Sequence, residues 1–386
     1  MACRVDDSSI SGAVKLLADE GFDGLSDAVT LLINEAMQIE RSRHLGAEAY
    51  ERTESRTGYA NGYKPKTLKS RLGKLELSVP QVRDGSFYPQ SLEKGLRSER
   101  ALKLAVAEMY VQGVATRKVK AITEQLCGFE ISSSDVSRAA SLLDDCLSAW
   151  RTRSLEEYPY LYLDARYEKV RHQGCVIDSA VLVAYGIDTE GKRSILGVSV
   201  SLSESEVHWR DFLNSLNKRG LHGVKLIISD AHAGLKAARQ SVFPSVPWQR
   251  CQFHLQQNAQ AYVSKRRYKK QVASDIRAIL QAPSMDEAKR LLSIAVDKYQ
   301  AECPELTNWM ETNVPESLTV MQFPESHRRR LRTSNLAERV NKEIKRRTRV
   351  AGIFPNTESC LRLVTAVTME IDEEWQQGYT YLSMND

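Results

Sequence analysis

The apolar positions along this chain change their spacing four times, from helical to alternating, back to helical, to apolar strand runs and to helical again. Over residues 1–50 they recur at helical intervals. Leu25, Val29, Leu32, Ile33, Ala36 and Met37 share one side, and Ser26 is placed to cap that helix. "RTGYANGYKPKT" (56–67) is rich in turn residues. Beyond it Leu75, Leu77 and Val79 alternate, which predicts a strand ending at Pro80 and a hairpin turning at Gly73. From about 98 to 150 the helical spacing returns, with Val119, Ile122 and Leu126 on one face. "CGFEIS" breaks that helix. Ser132 and Asp135 then form a capping-box pattern, and Val136, Ala140 and Leu143 restart the stripe. Helix, glycine turn and capped helix resemble a helix-turn-helix, with Arg138 near the start of the second helix.

Residues 158–230 read differently. "YPYLYLDARY", "SAVLVAYGID" and "SILGVSVSL" are short apolar strands. "EVHWRDFLNSLNKRG" is an amphipathic helix with Val207, Phe212, Leu213 and Leu216 inward. "VKLIISDA" is a fourth strand, apolar throughout and so buried on both faces. The order predicts an α/β mixed sheet with helices laid on it. Residues 231–325 carry almost no strand signal, and segments such as "DEAKRLLSIAVDKYQAEC" are helical. Helical spacing continues from 333, with a further helix over 357–376.

Charge narrows the class of partner. The net charge is only +5, but Ser326 to Arg349 holds ten Lys or Arg against two Glu. "KRRYKK" (265–270) and the stretch Lys64 to Lys74 hold cations and no acid. Three concentrated blocks point to a polyanion, nucleic acid before any other. No apolar run reaches the roughly 18 residues of a membrane span. "MACRVDDSSISGAVKLLADE" lacks the basic-then-apolar order of a secretory leader. Seven scattered cysteines without a CxxC fit reduced thiols in a cytoplasm. These features exclude a membrane partner from the expectation, and nothing calls for a small-molecule substrate.

Three carboxylates stand out. Asp164 lies inside an apolar strand, where an ionised group is costly unless it is paired or binds a cation. Asp230 ends another strand, the usual location of α/β sites, although it is also placed to cap the helix that follows. If those strands are neighbours, the two acids meet at one edge. Two carboxylates there would suit Mg²⁺, or Mn²⁺ in its place.

The third comes from "TSNLAERVNKEIKRRTR" (333–349). At 100° per residue, Leu336, Val340 and Ile344 form its core stripe. Glu343 sits beside that stripe with Arg339, Arg346 and Arg347 at helical spacing, a local ion-pairing role. Glu338 faces the other way with Asn335, Asn341, Lys342, Lys345 and Arg349, a surface suited to metal-bound phosphates or simply to water.

With these motifs in view, the chain resembles the mutator-type family of bacterial insertion-sequence transposases from about residue 56 to 376. "GYANGY", "LGKLELSVPQVRDGSFYP", "LYLDARYEKVR", "LIISDAHAGL", "WQRCQFHLQQN" and "TSNLAERVNKEIKRRTRVAGIFPN" carry the resemblance in order. It implies a ribonuclease-H-like catalytic domain with an all-helical insertion, and a DDE triad of Asp164, Asp230 and Glu338 binding Mg²⁺ or Mn²⁺. It also implies cleavage and strand transfer at terminal inverted repeats, and a homodimer acting on double-stranded DNA, element ends and target alike, in the bacterial cytoplasm at the nucleoid. Cys251 and His254 in "CQFH" match the family's C-x2-H. As chemistry they are half a zinc site with no second pair, so a structural or near-site role is expected. Trp309 is expected in a core.

The expected divisions are 1–97, helix plus a small β element that binds DNA; 98–155, the helix-turn-helix region; 156–244, the first part of the catalytic domain; 245–328, the helical insertion; and 329–386, the second part with the Glu-bearing helix. Arg138, Lys265, Arg266, Arg267, Lys342, Lys345, Arg346 and Arg349 are the candidate DNA contacts. Two alternatives remain open: a ribonuclease-H-like nuclease or resolvase, and a helix-turn-helix regulator in which the three acids are dispensable.

Overall fold

In the computed structural model, which describes residues 7–95 and 97–384, Asn61 and Gly62 lie inside a strand and not in a turn. Strand β1 (Ala60–Ser70) pairs antiparallel with β2 (Gly73–Val82), and the register shifts between Ala60 and Tyr63. Gly62, at φ 70°, supplies the left-handed residue of that bulge. Pro65 is tolerated because a two-stranded sheet leaves each strand one unpaired edge. The turn at Gly73 forms as expected, but β2 runs past Pro80 to Val82.

The chain divides into two units, Met1–Leu143 and Asp144–Asp386. In the first, helices α1 (Asp7–Glu20) and α2 (Leu25–Leu45) precede the hairpin. Ser26 does not cap α2. The helix already starts at Leu25, its N-cap is Gly24, and no side chain caps it. Met37 of α2 is buried against Leu75, Leu77 and Val79 of β2, which is why that strand alternates.

Helices α3 (Arg100–Val111), α4 (Thr116–Cys127) and α5 (Ser133–Ala140) follow, around Val106, Ala107, Val119 and Val136. The α4–α5 turn uses Gly128 at φ 68°. The Ser132 side chain accepts from the Asp135 N–H at 3.1 Å, so the capping box is real. Leu126 is 73% exposed and does not belong to the core stripe.

The second unit opens with α6 (Asp144–Thr152) and three strands, β3 (Tyr160–His172), β4 (Cys175–Ile187) and β5 (Arg193–Ser201). Helix α7 (Glu206–Lys218), β6 (Leu226–Ser229), α8 (Ala233–Val242) and β7 (Trp248–Arg250) complete a five-stranded sheet ordered β5-β4-β3-β6-β7. β4 runs antiparallel to both of its neighbours, β3 and β5, while β6 pairs parallel with β3 and β7 parallel with β6. Strand β7 is a difference from the sequence expectation, because three residues are too short to leave a periodic signal.

Trp209, Phe212, Leu213 and Leu216 of α7 bury against Leu161, Leu163 and Leu182 of the sheet. Val207, expected inward, is 51% exposed because it sits in the first turn of α7, outside that buried face.

Four helices then build a core of their own: α9 (Gln252–Ala259), α10 (Lys269–Leu280), α11 (Met285–Tyr299) and α12 (Pro304–Asn313). Leu255, Ile276, Tyr299, Leu306 and Met310 fill it. Trp309 is buried at its edge, stacked on Tyr262 with ring centroids 5.3 Å apart.

The chain returns to the sheet through α13 (Glu325–Leu331), α14 (Asn335–Ala351) and α15 (Thr357–Gln377). Leu336, Val340 and Ile344 of α14 are buried as the stripe predicts. Asn356 caps α15 by accepting the Ser359 N–H at 2.8 Å. Among the described residues no helix is long and apolar enough to cross a membrane, and the six cysteines there are free.

Candidate active site

The two aspartates meet because of strand register. β3 and β6 are parallel, and their last paired residues are Tyr162 and Ile228. Asp164 and Asp230 each lie two residues further on. Asp164 continues β3 and Asp230 directly follows the last residue of β6, so the two carboxylates leave the same end of neighbouring strands, near enough for the charge of Asp230 to act on Asp164. Apolar burial sets this up: Leu161, Leu163, Leu226, Ile227 and Ile228 are fully buried and hold the two strands in the middle of the sheet.

Asp164 Oδ2 accepts a hydrogen bond from the side-chain amide of Asn341 on α14. Burial pushes its carboxyl up to about 6. The Asn341 bond opposes the shift, the charges of Asp230 and Glu204 add to it, and His254 works against it. Asp230 Oδ1 accepts the His232 N–H at 3.2 Å, in the turn just before α8. Its expected alternative role as a helix cap is thus only approximate, since His232 holds the N-cap position.

Glu204, in the β5–α7 connection, carries no motif and was not singled out by sequence. It accepts from the Tyr167 hydroxyl at 2.9 Å and from the Trp209 indole N–H at 3.2 Å, and His232 Nδ1 lies 3.3 Å away. Burial raises its carboxyl above the ordinary range, and Asp230 adds to that. The Tyr167 hydroxyl is pushed up to about 12 by burial and by this carboxylate. Both oxygens of Glu204 are therefore already committed to protein donors.

Helix α14 is fixed to β3 at two levels. The Arg166 guanidinium donates to the Asn341 carbonyl and pairs with Glu168 at 2.5 Å, and the Thr348 hydroxyl donates to Glu168 at 2.9 Å. Asn341 Oδ1 is buried with no partner, an acceptor left beside Asp164. Glu338 is one helical turn before Asn341 on the same side. It is exposed, and its carboxylate has no hydrogen bond or ion pair among the described residues. Among those residues, no three His, Cys, Asp or Glu side chains stand together closely enough to hold a metal ion. Glu343 pairs with Arg346 at 3.0 Å and with Arg347 at 3.8 Å, as its spacing predicts. Arg339 departs from that pattern and pairs with Glu374 on α15 at 3.2 Å.

The C-x2-H pair sits between these parts. The Cys251 N–H donates to the Ser229 carbonyl at 2.7 Å, which ties it to β6. Its thiol sulfur accepts from the Ser334 N–H at 3.4 Å and from the Ser334 hydroxyl at 3.3 Å, just ahead of α14. Burial pushes the thiol up, but hydrogen bonds from His254 and Ser334 bring it below its ordinary value. The bond to Cys251 raises His254, helped by the negative charges of Cys251, Asp230 and Asp164. Cys251 thus links the Asp230 strand to the start of the Glu338 helix.

Of the cations singled out by sequence, Lys342, Lys345 and Arg349 are exposed without side-chain partners among the described residues. Arg346 is held by Glu343. Lys265 and Arg267 both engage Glu302, which comes from outside their acid-free run, and Arg266 is exposed. Arg138 pairs with Asp135 at 2.8 Å.

A family model described as "Transposase, Mutator family" matches residues 6–378. The chain is 57% identical over 387 residues to the transposase for insertion sequence element IS406 of Burkholderia multivorans, covering all of both chains. It is 45% identical to the transposase for element ISRM5 of Rhizobium meliloti, over 99% of this chain and 96% of that one. The transposase for element IS256 in transposon Tn4001 of Staphylococcus aureus is 38% identical, over 92% of this chain and 91% of that one. Among solved structures, a Drosophila P element transposase strand transfer complex gives a TM-score of 0.37 at 10% identity, over 72% of this chain and 93% of that one.

Proposed function

This chain belongs to the Mutator family of transposases, and we propose that it binds the terminal inverted repeats of its own insertion sequence and cuts and joins DNA strands there. In this reading Asp164, Asp230 and Glu338 form a metal-dependent DDE centre on a ribonuclease-H-like unit. The strand order β5-β4-β3-β6-β7, with antiparallel pairing from β5 to β3 and parallel pairing from β3 to β7, supports that unit. The helices α9 to α12 stand as its insertion.

The observation that carries the reading is the shared register of Asp164 and Asp230. The fold brings two carboxylates side by side at a strand end, removes water from one and lets the other's charge raise it further. Among the described residues, His254 is the basic group whose charge favours the ionised form of Asp164 there. A hard divalent ion fits this donor set, since the buried, unpartnered Asn341 Oδ1 adds a third oxygen. Such an ion, when bound, supplies the charge that activates a water or a 3′-hydroxyl and stabilises the leaving oxygen.

The chain's own residues do the rest. Asp164 and Asp230 hold the cation from two strands. Asn341 orients Asp164, and Cys251 keeps the start of α14 against β6. Glu204 is spent on Tyr167 and Trp209, whereas Glu338 is free, so Glu338 is the carboxylate available to complete the triad. The reading requires Glu338 to swing toward the aspartates when DNA is engaged. Lys342, Lys345 and Arg349 share its helix and meet the phosphates. Two ends must be processed together, so a homodimer on double-stranded DNA in the bacterial cytoplasm completes the picture.

The test is strand transfer with Mg²⁺ or Mn²⁺ and DNA carrying the element's own terminal repeats. Asp164→Asn, Asp230→Asn and Glu338→Gln should each abolish joining while end binding persists. Full activity in Glu338→Gln would remove it from the triad. Cleavage without preference for the ends would favour a nuclease of the same fold.

A further inference from the structure

The first unit contains a cavity of about 670 Å³ bounded by the end of β1, the segment before α3, α3 itself and α5. Lys66, Lys69, Arg97, Lys103 and Arg138 line it, with Asp135 as the one acid among the lining residues. The formal charge around this space is therefore +4. Asp135 has little left to offer: it takes the Ser132 hydroxyl at 2.9 Å and Arg138 at 2.8 Å. Lys66 donates to the Tyr88 hydroxyl at 3.0 Å, and the Lys69 ammonium lies 5.5 Å above the Phe129 ring. The Arg97 and Lys103 side chains have no hydrogen bond or ion pair among the described residues.

Cations from β1, the segment before α3, α3 and α5 converging on one space repel one another, and an anion seated among them relieves that repulsion. The floor is a different kind of surface. Leu102, Val106, Ile131 and Ala139 make it apolar. A bare inorganic anion has no use for such a floor, whereas a phosphodiester brings both charged oxygens and the carbon face of a deoxyribose. The position fits as well. Asp135 and Arg138 belong to α5, the second helix of the helix-turn-helix pattern, and such a helix enters a major groove with the backbone passing beside it.

We propose that this cavity is a phosphodiester clamp. It seats the sugar–phosphate backbone of one strand of duplex DNA beside α5, with Arg97 and Lys103 closing on adjacent phosphates and the sugar carbons resting on Leu142, which lines the cavity and is 48% exposed. The β-hairpin is then part of the grip on DNA through Lys66 and Lys69, and the helices do not act alone. The inference rests on the reading of the chain as an end-binding transposase.

Fluorescence anisotropy of the full chain tests it, with a terminal-repeat duplex and a scrambled duplex, over a range of salt. Arg97→Gln/Lys103→Gln keeps the hydrocarbon stems, and a thermal melt checks that the fold is intact. Arg97→Ala/Lys103→Ala is the second variant. Two lost phosphate contacts should lower the log–log salt slope by about 1.8 and weaken both duplexes by the same factor, roughly tenfold to a hundredfold at 0.1 M salt. A wild-type slope in both variants would overturn the clamp. So would a loss confined to the terminal-repeat duplex, which would mean base reading, or a loss of dATP binding with DNA binding unchanged, which would mean a nucleotide site. A wild-type chain that binds neither duplex would overturn the end-binding reading along with the clamp.

Discussion

The carboxylate corner of the second unit and the cationic cavity of the first are opposite solutions to one electrostatic situation. In each, like charges gather and the protein leaves them largely uncompensated. At the corner the gathering is rigid. Asp164 and Asp230 come from buried central strands, and backbone pairing fixes their spacing. In the cavity it is loose, built from long side chains on a strand end, a connecting segment and two helices. Rigid carboxylates, with Asp164 desolvated, suit one small ion of fixed coordination distance. Flexible, hydrated cations suit a chain of phosphates whose exact placement varies. The contrast teaches that charge sign alone does not define a site, because the stiffness of the elements beneath it selects the size of the ligand.

The comparison breaks most severely if the corner tolerates neutralisation. Asp164→Asn or Glu338→Gln removes several kcal/mol of charge stabilisation in the transition state, so strand transfer should fall by about 10³-fold or more. A loss below tenfold would mean that these groups do not hold the reacting ion. Glu204→Gln separates the committed carboxylate from the free one. It should reduce activity less than Glu338→Gln, and the reverse ranking in a joining assay would exchange their roles.

The next effects concern orientation. Asn341→Ala and Cys251→Ala each remove a contact that positions a carboxylate-bearing element, and such losses typically cost about 10- to 100-fold in metal affinity or activity. Cys251→Ser keeps an acceptor for Ser334 and should recover much of the rate. Equal rates for Ala and Ser at 251 would mean that packing, not hydrogen bonding, is the thiol's contribution.

A smaller effect sharpens the claim of desolvation. The Asp164 carboxyl sits at about 6 in the fold, above the roughly 3.9 of an unfolded chain. The folded state binds this proton more tightly, so the stabilisation is fully present below about pH 4 and is lost as the pH rises through about 6. In EDTA, Asp164→Asn should therefore melt about 2–6 °C above wild type near pH 7.5 and together with it near pH 4. Added Mn²⁺ should raise the wild-type melting temperature and leave the variant unmoved. Identical pH profiles in EDTA would show that Asp164 is better solvated than its burial indicates. The smallest effect is the control: Glu343→Gln should change stability by about 0.5 kcal/mol or less and leave strand transfer intact.

Much of the sheet was legible because buried parallel and antiparallel strands leave unmistakable apolar runs. Asp164 and Asp230 stood out as charges at the wrong place in such runs, and the placement of Glu338 and Glu343 on different faces followed from helix geometry. Other features were illegible for identifiable reasons. Asn61-Gly62 has turn chemistry but serves a bulge, and local composition cannot separate the two. Strand β7 is shorter than one period of any pattern. Ser26 had the right chemistry for a cap, yet the N-cap is Gly24 and Ser26 lies inside the helix that starts at Leu25. Glu204, Arg166 and the contact between Asn341 and Asp164 depend on residues 37 to 177 positions apart meeting in space. Arg339 pairs with Glu374 on α15, while Glu343, the acid at helical spacing from it, is taken by Arg346 and Arg347.

The matched register of Tyr162 with Ile228 also says what kind of length change the corner can survive. Everything between β3 and β6 may lengthen or shorten, since those residues travel through hairpins and a helix before the chain comes back into line. The short step from Ile228 to Asp230 has no such freedom. One residue added or removed there changes odd for even and turns the carboxylate to the opposite side of the sheet, while two leave its direction intact and merely move it along. The corner is therefore protected by parity, a rule invisible to composition but simple to count in any relative whose loops differ in length.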